Sequence, residues 1–262
     1  MAKKDLNIYK IGGNVVNDQQ VLETFLKDLA CMKGLKVLVH GGGNSASELS
    51  KKLGIEPKMI AGRRVTDTAT LDVVVMVYAG LINKKIVSQL QQYDSNAIGL
   101  SGADANSIEA HKRIVESIDY GFAGDIDQVN TKIIQQFLEL ELTPVFCALT
   151  HDRQGQLLNT NADTIAATLA IAMSEEFNVT LNFVFEHKGV LEELSDKNSV
   201  IPVIDHSKYL ELIEKKVIAD GMLPKLHNCF HALENGVSEI RIGNEKLAAK
   251  GDDLFTKLVL KK

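Results

Sequence analysis

Residues 36–43 read KVLVHGGG, an apolar strand pattern that runs directly into the glycine cluster Gly41-Gly42-Gly43. Residues 6–13, LNIYKIGG, repeat the arrangement, with Lys10 just ahead of Gly12-Gly13. Glycine lets backbone N–H groups approach an anion closely, and a following helix N-terminus adds partial positive charge. Ordinary strand-to-helix turns are the alternative interpretation, but two clusters and a lysine favour an anion site.

Strand and helix patterns alternate along the rest of the chain. Helical spacing follows Asp18, which is a good helix cap, and the stretch 70–93 predicts a long core helix. Residues 107–128 predict a hairpin. Further strands are expected at residues 6–11, 36–40, 96–100, 144–149, 179–185, 237–242 and 254–260, and further helices at 45–53, 130–140, 162–173, 206–216 and 221–234. This alternation predicts an α/β fold with a mainly parallel sheet covered on both faces.

Composition and charge exclude several classes of protein. The 262 residues carry 29 Lys+Arg against 34 Asp+Glu, a formal charge of −5, and 45% are hydrophobic. That balance is typical of globular proteins rather than disordered ones, and it predicts no nucleic-acid partner. Three cysteines at distant positions predict neither a disulfide framework nor a zinc site. No signal peptide or membrane-length apolar run is present, so the expectation is a cytoplasmic protein without a membrane partner.

Five segments together resemble the N-acetylglutamate kinase family of the amino acid kinase superfamily. They are KIGG at 10–13, HGGG at 40–43, RRVT at 63–66, LNTNAD at 158–163 and DGMLPK at 220–225. The resemblance covers nearly the whole chain. It implies a three-layer αβα sandwich of the carbamate kinase type, with an acylglutamate-binding lobe at residues 1–172 and a nucleotide-binding lobe at 173–262.

The resemblance assigns catalysis to three residues. Phosphoryl transfer depends mainly on positioning and on electrostatic stabilisation of charge spread over the equatorial oxygens. The resemblance puts Lys10 on the transferring group, Lys225 near the leaving oxygen, and Asp163 between them as the carboxylate that holds both lysines. Taken alone, Lys225 reads as a solvated helix residue and Asp163 as a helix-start acid that complements the dipole.

The resemblance also assigns the substrate contacts. Arg64 has a planar fork suited to a carboxylate, so it is expected to bind the α-carboxylate of the amino acid. Gly42 and Gly43 are expected to supply N–H groups to the substrate and to the transferring phosphoryl. Asn159 is expected to bond the substrate, and Asn161 to support its loop. The substrate is an N-acylated glutamate, with acetyl as the family default and a larger acyl group such as succinyl left open.

The nucleotide contacts are the part in which the sequence departs from the family. The family pattern after the strand at 179–185 is S/T-D-V-x-G-[VI]-L, whereas this chain reads FEHKGVL at 185–191. Glu186 could still reach a ribose hydroxyl and Lys188 a phosphate; alternatively, the loop uses backbone contacts only. The nucleotide-binding residues implied by the resemblance are Gly12, Gly13, Glu186, Lys188, Gly189, Val190, Leu191, Val217, Ile218 and Ala219.

ATP is the implied phosphoryl donor, and Mg²⁺ is expected to be held mostly by the ATP phosphates rather than by a protein metal site. No Walker motif or G-x-G-x-x-G occurs, which argues against P-loop and dinucleotide-binding chemistry.

The same residues fit other functions less well. HGGG also matches an esterase oxyanion loop, but the nearest candidate for the nucleophile elbow, residues 99–103, ends in Ala rather than Gly. A non-catalytic regulator on the same fold is disfavoured because Lys10, Asp163 and Lys225 are all retained. Kinases of aspartate, carbamate or UMP are closer rivals, and the segments around Arg64 and Asn159 favour acylglutamate.

Assembly and regulation are predicted from the short stretch ahead of Lys10. Arginine-inhibited family members carry an extra N-terminal helix that links dimers into a hexamer. Three or four free residues make barely one helical turn. The expectation is therefore a homodimer built on an apolar helix such as 70–93, without feedback inhibition by arginine.

Overall fold

The computed structural model describes residues 2–60, 62–193, 195–215, 223–249 and 254–260. Within them, eight strands form one central sheet in the order β12-β14-β13-β11-β1-β2-β8-β5. The strands are β1 (Lys4–Ile11), β2 (Leu35–His40), β5 (Ala97–Leu100), β8 (Thr143–Cys147), β11 (Phe177–Val184), β12 (Val203–Ile204), β13 (Glu239–Gly243) and β14 (Thr256–Leu258). Neighbouring strands run parallel except β13 and β14, which are antiparallel.

Helices cover both faces of this sheet, as the alternating pattern predicts. They are α1 (Gly13–Asn17), α2 (Gln19–Cys31), α3 (Gly43–Lys52), α4 (Thr68–Val75), α5 (Asn83–Gln92), α6 (Thr131–Glu139), α7 (Ala162–Met173), α8 (His206–Glu214) and α9 (Leu223–Glu234). Asp18 caps α2 by accepting the N–H groups of Gln20 and Val21. The predicted strands and helices are therefore present, with ends shifted by a few residues.

Strand β1 shows how the two faces are built. Its side chains alternate between faces, as in any strand. Leu6 and Ile8 pack into one apolar cluster with α6, α7, α8 and α9. Tyr9 and Ile11 pack into a second cluster with α2 and the helices between Thr68 and Gln92. Lys10 has the parity of Leu6 and Ile8, so its side chain points towards the layer that contains α7 and α9.

The long helix predicted at 70–93 is present, but its middle is not α-helical. Residues Met76–Ile82 form a π-helical segment that joins α4 to α5. Such segments add a residue to the turn and are frequent at functional sites. The side chains of Tyr78 and Ile82 in this segment lie against Gly42, which couples the irregular turns to the second glycine cluster.

Of the strands beyond the central sheet, the sequence predicted the hairpin but not the sheet to which it belongs. A second sheet has the order β10-β9-β6-β7, formed by β6 (Ile108–Lys112), β7 (Gly124–Val129), β9 (Leu149–His151) and β10 (Leu157–Asn159). The hairpin predicted at 107–128 corresponds to β6 and β7, which pair antiparallel. The strand predicted at 144–149 is split, because β8 ends at Cys147 and Leu149 opens β9 in the other sheet. A small ribbon joins β3 (Met59–Ile60) to β4 (Arg63–Arg64).

The proposed lobes share the central sheet. β1 belongs to the first and β11 to the second, and the two pair in parallel from Lys4↔Phe177 to Ile11↔Val184. The proposed boundary at 172/173 falls at the last residue of α7. The division into lobes stays a prediction.

Candidate active site

Three neighbouring strands end at one edge of the sheet and bring the predicted residues together. The strand order β11-β1-β2 places Phe185, Gly12 and Gly41 side by side, directly after the last residue of each strand. The backbone N–H of Gly12 donates to the carbonyl of Val184 at 3.2 Å, which ties the first two of these ends together. This carboxyl edge is where open α/β sheets bind ligands.

Lys10 and Asp163 form a short ion pair at this edge. The distance from Lys10 Nζ to Asp163 Oδ1 is 2.8 Å, and the two side chains are only 8% and 19% exposed. Burial by itself would raise the pKa of Asp163, but the charges of Lys10 and Lys225 outweigh it and the pKa lies below its usual range. Asp163 is therefore ionised at neutral pH and faces both lysines.

Lys225, on the first turns of α9, completes the group. Burial lowers its pKa, the Asp163 carboxylate opposes that effect, and Lys10 adds to it. Its Nζ lies 4.1 Å from the centroid of the Phe185 ring. The three residues that the sequence assigned to catalysis thus lie together, with two cations around one carboxylate.

The N-terminus of α7 fixes the position of Asp163. Asn161 caps this helix, because its Oδ1 accepts the N–H groups of Asp163 at 2.8 Å and Thr164 at 3.1 Å. Asp163 stands in the first helical turn, where a negative charge also complements the helix dipole. The two interpretations of Asp163 are compatible, since one carboxylate meets both the dipole and the lysines. These two hydrogen bonds join Asn161 to the first turn of α7.

A cavity of about 240 Å³ opens beside the Lys10–Asp163 pair. Its walls come from both sheets, the β3–β4 ribbon and the glycine cluster after β2. They include five of the residues assigned to the substrate: Gly42, Gly43, Arg64, Asn159 and Asn161.

Arg64 is a buried cation in the wall of this cavity, only 6% exposed. Its Nη2 donates to the carbonyl of Gly43 at 2.8 Å and to Ser47 Oγ at 2.7 Å. Its Nη1 has no hydrogen-bond partner among the described residues. One arm of the guanidinium therefore holds the side chain in place, while the other is left to bind an anion. Asn159 nearby donates from Nδ2 to Thr66 Oγ1 at 3.0 Å.

The second glycine cluster forms the start of α3. Gly42 is the N-cap of this helix and offers no side-chain cap, so the first N–H groups of the helix remain for another acceptor. A Cβ on Gly42 would lie 2.5 Å from Ile82 Cδ1 and 2.9 Å from Tyr78 Cδ1, whereas one on Gly43 would find nothing closer than 3.8 Å. Gly42 is therefore required by close packing, and Gly43 leaves room on the cavity side.

A buried pair that the sequence analysis did not single out holds this loop. His40 Nδ1 donates to the carbonyl of Gly41 at 2.8 Å, and His40 Nε2 accepts from Asn83 Nδ2 at 3.1 Å. Complete burial lowers the pKa of His40 to about 4, so the ring is neutral. Asn83 also donates to the carbonyl of Val145 at 2.9 Å. The contact links the π-helical region, the sheet and the glycine loop.

The residues assigned to the nucleotide are less tightly gathered. Gly12 and Gly13 lie at the end of β1 next to Lys10. Glu186 is exposed and accepts a hydrogen bond from Asn14 Nδ2 at 2.7 Å, while Lys188 is exposed and donates to Asn198 Oδ1 at 3.4 Å. Gly189 and Val190 are buried next to Thr256, and Leu191 is buried and forms a bridge with Val200. Val217, Ile218 and Ala219 lie outside the described residues.

Comparison with known proteins fits this geometry. Residues 5–244 match the amino acid kinase family. The acetylglutamate kinase of Bacteroides fragilis is 49% identical over 240 residues, which is 92% of each chain. The chain belongs to the acetylglutamate kinase family.

Solved structures of other proteins share the fold. The smu.665 protein of Streptococcus mutans is 26% identical, with a TM-score of 0.77 over 97% of this chain and 98% of that one. The carbamate kinase of Giardia lamblia bound to AMP-PNP has a TM-score of 0.68, with all of both chains covered, at 12% identity. The expected three-layer architecture of the carbamate kinase type is confirmed.

No helix among the described residues has the length and apolarity needed to cross a bilayer. Over the same residues, no group of three or more His, Cys, Asp and Glu side chains could hold a metal ion.

The sequence analysis did not single out three side chains at the site: Arg63, Tyr78 and Phe185. Arg63 and Phe185 fell inside quoted motifs, whereas nothing in the sequence pointed to Tyr78.

Proposed function

We propose that this protein transfers the γ-phosphoryl group of ATP to the γ-carboxylate of an N-acylglutamate, giving ADP and an N-acylglutamyl phosphate, in arginine biosynthesis. N-Acetyl-L-glutamate is the first candidate, because the relatives at nearly half identity are named for it. The observation that carries the proposal is the Lys10–Asp163–Lys225 group beside a cavity that presents the Nη1 of Arg64.

The substrate side follows from the buried groups. Arg64 binds the α-carboxylate through Nη1, and Asn159 orients the acylated amine. The γ-carboxylate then lies near Gly42, Gly43 and Lys10, at the N-terminus of α3. That end favours negative charge and offers N–H donors.

The transfer itself brings two anions together. A carboxylate oxygen forms a bond to the γ-phosphorus as the bond to the β,γ-bridging oxygen of ATP breaks. Lys10 faces the equatorial oxygens and Lys225 the departing oxygen, while Asp163 holds both cations in place before ATP arrives. Fixed charges of this kind act mainly by stabilising charge in the transition state.

The nucleotide side rests on residues around the ends of β1 and β11. We assign the phosphates to Gly12 and Gly13 and the rest of the nucleotide to Glu186, Lys188, Gly189, Val190 and Leu191, together with Val217, Ile218 and Ala219. Asp163 is already paired with Lys10 and faces the charge of Lys225, so Mg²⁺ is brought on the ATP phosphates. When bound, it neutralises their charge.

The acyl group itself has a second candidate, an acyl group that carries its own carboxylate, such as succinyl. Arg63 carries this second candidate. It lines the same cavity, and its side chain makes no hydrogen bond or ion pair among the described residues. Burial lowers the pKa of Arg63, and nearby Arg113 lowers it further. Asp125 is already paired with Arg113 at 2.8 Å, so the cavity wall keeps an excess cation suited to a second carboxylate.

One assay tests the function and separates the acyl groups. ADP release is measured with N-acetylglutamate, N-succinylglutamate, free glutamate, aspartate, carbamate and UMP as acceptors. Among these acceptors, we expect turnover only with an N-acylglutamate. The Arg63→Leu variant should lower kcat/KM only for a substrate whose acyl group carries the extra carboxylate. Turnover with carbamate, aspartate or UMP but not with acylglutamates would reject the assignment.

We also propose a homodimer built on the long helix. Met76 and Leu81 in the π-helical segment are large apolar side chains, 53% and 49% exposed. Exposed apolar residues on one element are typical of an association surface. Light scattering of the wild type and of Leu81→Glu tests this: the wild type should have twice the chain mass, and the variant should shift towards the monomer.

A further inference from the structure

The ring of Phe185 lies against both lysines of the proposed site. Lys225 Nζ stands 4.1 Å from the ring centroid and Lys10 Nζ stands 5.5 Å from it. Both distances fall within the range of about 6 Å over which a cation is attracted to the face of an aromatic ring. Phe185 belongs to the FEHK segment, in which the sequence departs from the family pattern.

Neighbouring contacts fix the ring in this position. Phe183 stacks on it with centroids 6.1 Å apart and planes inclined by 6°. The backbone N–H of Phe185 donates to the carbonyl of Gly243 at 2.7 Å, which extends the pairing of β11 with β13 by one residue. The ring is therefore held from its backbone and from one face.

The ammonium group of Lys225 lies against this ring. In the part of the chain that the structure describes, Lys225 makes no hydrogen bond or salt bridge, and Asp163 acts on it electrostatically without direct pairing. Burial disfavours its charged form, whereas the negative face of an aromatic ring favours it. The closest specific contact of the ammonium group is thus the face of Phe185.

We propose that Phe185 is a positioning residue of the phosphoryl-transfer site. Its ring face holds the Lys225 ammonium group, and more weakly that of Lys10, ready for the phosphates before ATP binds. The proposal rests on the proposed function, because the lysines matter only if phosphoryl transfer occurs here. It predicts that kcat/KM for ATP depends on the π-electron density at the ring face, and not only on the size of the ring.

Fluorinated phenylalanines at position 185 test this directly. One to three ring fluorines withdraw electron density stepwise while the shape stays nearly constant. We expect kcat/KM for ATP to fall stepwise, by about three- to tenfold in total, which is the size of one partly buried cation–π contact. KM for the acylglutamate should stay constant. The same fluorination at Phe183, which stacks on Phe185, is the matched control and should have little effect.

The pH profile provides a second readout that packing alone would not move. Fluorination destabilises the charged form of Lys225, so its pKa falls. The alkaline limb of kcat/KM for ATP, which reports the free enzyme, should then move to lower pH with each fluorine. Phe185→Leu should show the same displacement, and Phe185→Trp should not.

Two results would overturn the proposal: an identical kcat/KM and alkaline limb across the fluorinated series, or equal effects at Phe183 and Phe185. A wild-type protein that releases no ADP with any acylglutamate would instead reject the proposed function. The two failures are therefore distinguishable in the same set of assays.

Discussion

The two sides of the site are built differently. On the acylglutamate side, Arg64 and His40 are buried and each is bonded to the glycine loop, and Asn161 caps the helix that presents Asp163. On the nucleotide side, Glu186 and Lys188 are exposed, and among the described residues their side chains pair with Asn14, His187 and Asn198. The sequence keeps the family motifs on the first side, and on the second side it departs from the family pattern at residues 185–188.

This difference has a physical meaning. A buried donor that loses its partner costs free energy, so a buried polar network tolerates few replacements. An exposed side chain exchanges its contacts with water at little cost. Substitutions on the acylglutamate side should therefore have large and specific effects, whereas those of the exposed side chains at 186–188 should have small ones.

The largest effect is expected at the lysines. Lys10→Ala removes a cation aimed at the developing phosphoryl charge, and kcat should fall by about a hundredfold or more, as for the loss of one preorganised donor. Lys225→Ala should be comparable. Steady-state ADP release measures both, with exposed Lys27→Ala as the control. A near-normal kcat in either folded variant would remove that lysine from the mechanism.

Asp163→Asn should lower kcat about tenfold or more, because the charge that holds both lysines is lost. The pH dependence should change as well. Asp163 raises the pKa of Lys225, so its removal lowers that pKa further. The alkaline limb of kcat/KM for ATP should therefore move to lower pH. An unmoved limb would show that Asp163 does not act on Lys225.

Arg64→Ala should act on binding rather than on the chemical step. The loss of a charged hydrogen bond to the α-carboxylate should raise KM for the acylglutamate by about ten- to a hundredfold, with a smaller change in kcat. The control is Arg153→Ala, since the Arg153 side chain is 59% exposed and, among the described residues, pairs with Glu109. If KM is unchanged, another group anchors the substrate.

The smallest effect is expected at Glu186. Glu186→Gln keeps an acceptor for Asn14 but removes the charge at an exposed position, and such changes are usually within about 0.5 kcal/mol. KM for ATP should change less than about threefold. A tenfold rise would show that the negative charge of Glu186, and not only its hydrogen-bond acceptor, is needed to hold the nucleotide, and the contrast between the two sides would then disappear.

Sequence reasoning reached most of the fold because apolar alternation and helix caps are local signals. The cap at Asp18 and the strand ends at Gly12 and Gly41 needed no tertiary information to find. The short strands β9 and β10 were missed because three residues carry too little pattern. The π-helical segment was missed because the apolar spacing at 70–93 predicted one continuous helix, and the closeness of Tyr78 and Ile82 to Gly42 is not visible in that spacing.

The candidate site divides in the same way. The quoted motifs identified the residues that the structure gathers around Lys10 and the cavity. They could not show that Arg63 faces the cavity or that Phe185 contacts both lysines. Those contacts arise only when β11 pairs beside β1 and the β3–β4 ribbon folds against the cavity. The sequence could therefore predict which residues belong to the site, but not the contacts that Arg63 and Phe185 make there.

We propose that Lys10, Asp163 and Lys225 catalyse transfer of the γ-phosphoryl group of ATP to a carboxylate. Hydroxylamine converts an acyl phosphate to a hydroxamate, so hydroxamate and ADP can be quantified together with an N-acylglutamate and ATP. We predict equal amounts of both from the wild type, and at least about a hundredfold less of both from a folded Lys10→Ala variant. ADP without hydroxamate, or undiminished hydroxamate from the variant, would contradict the account.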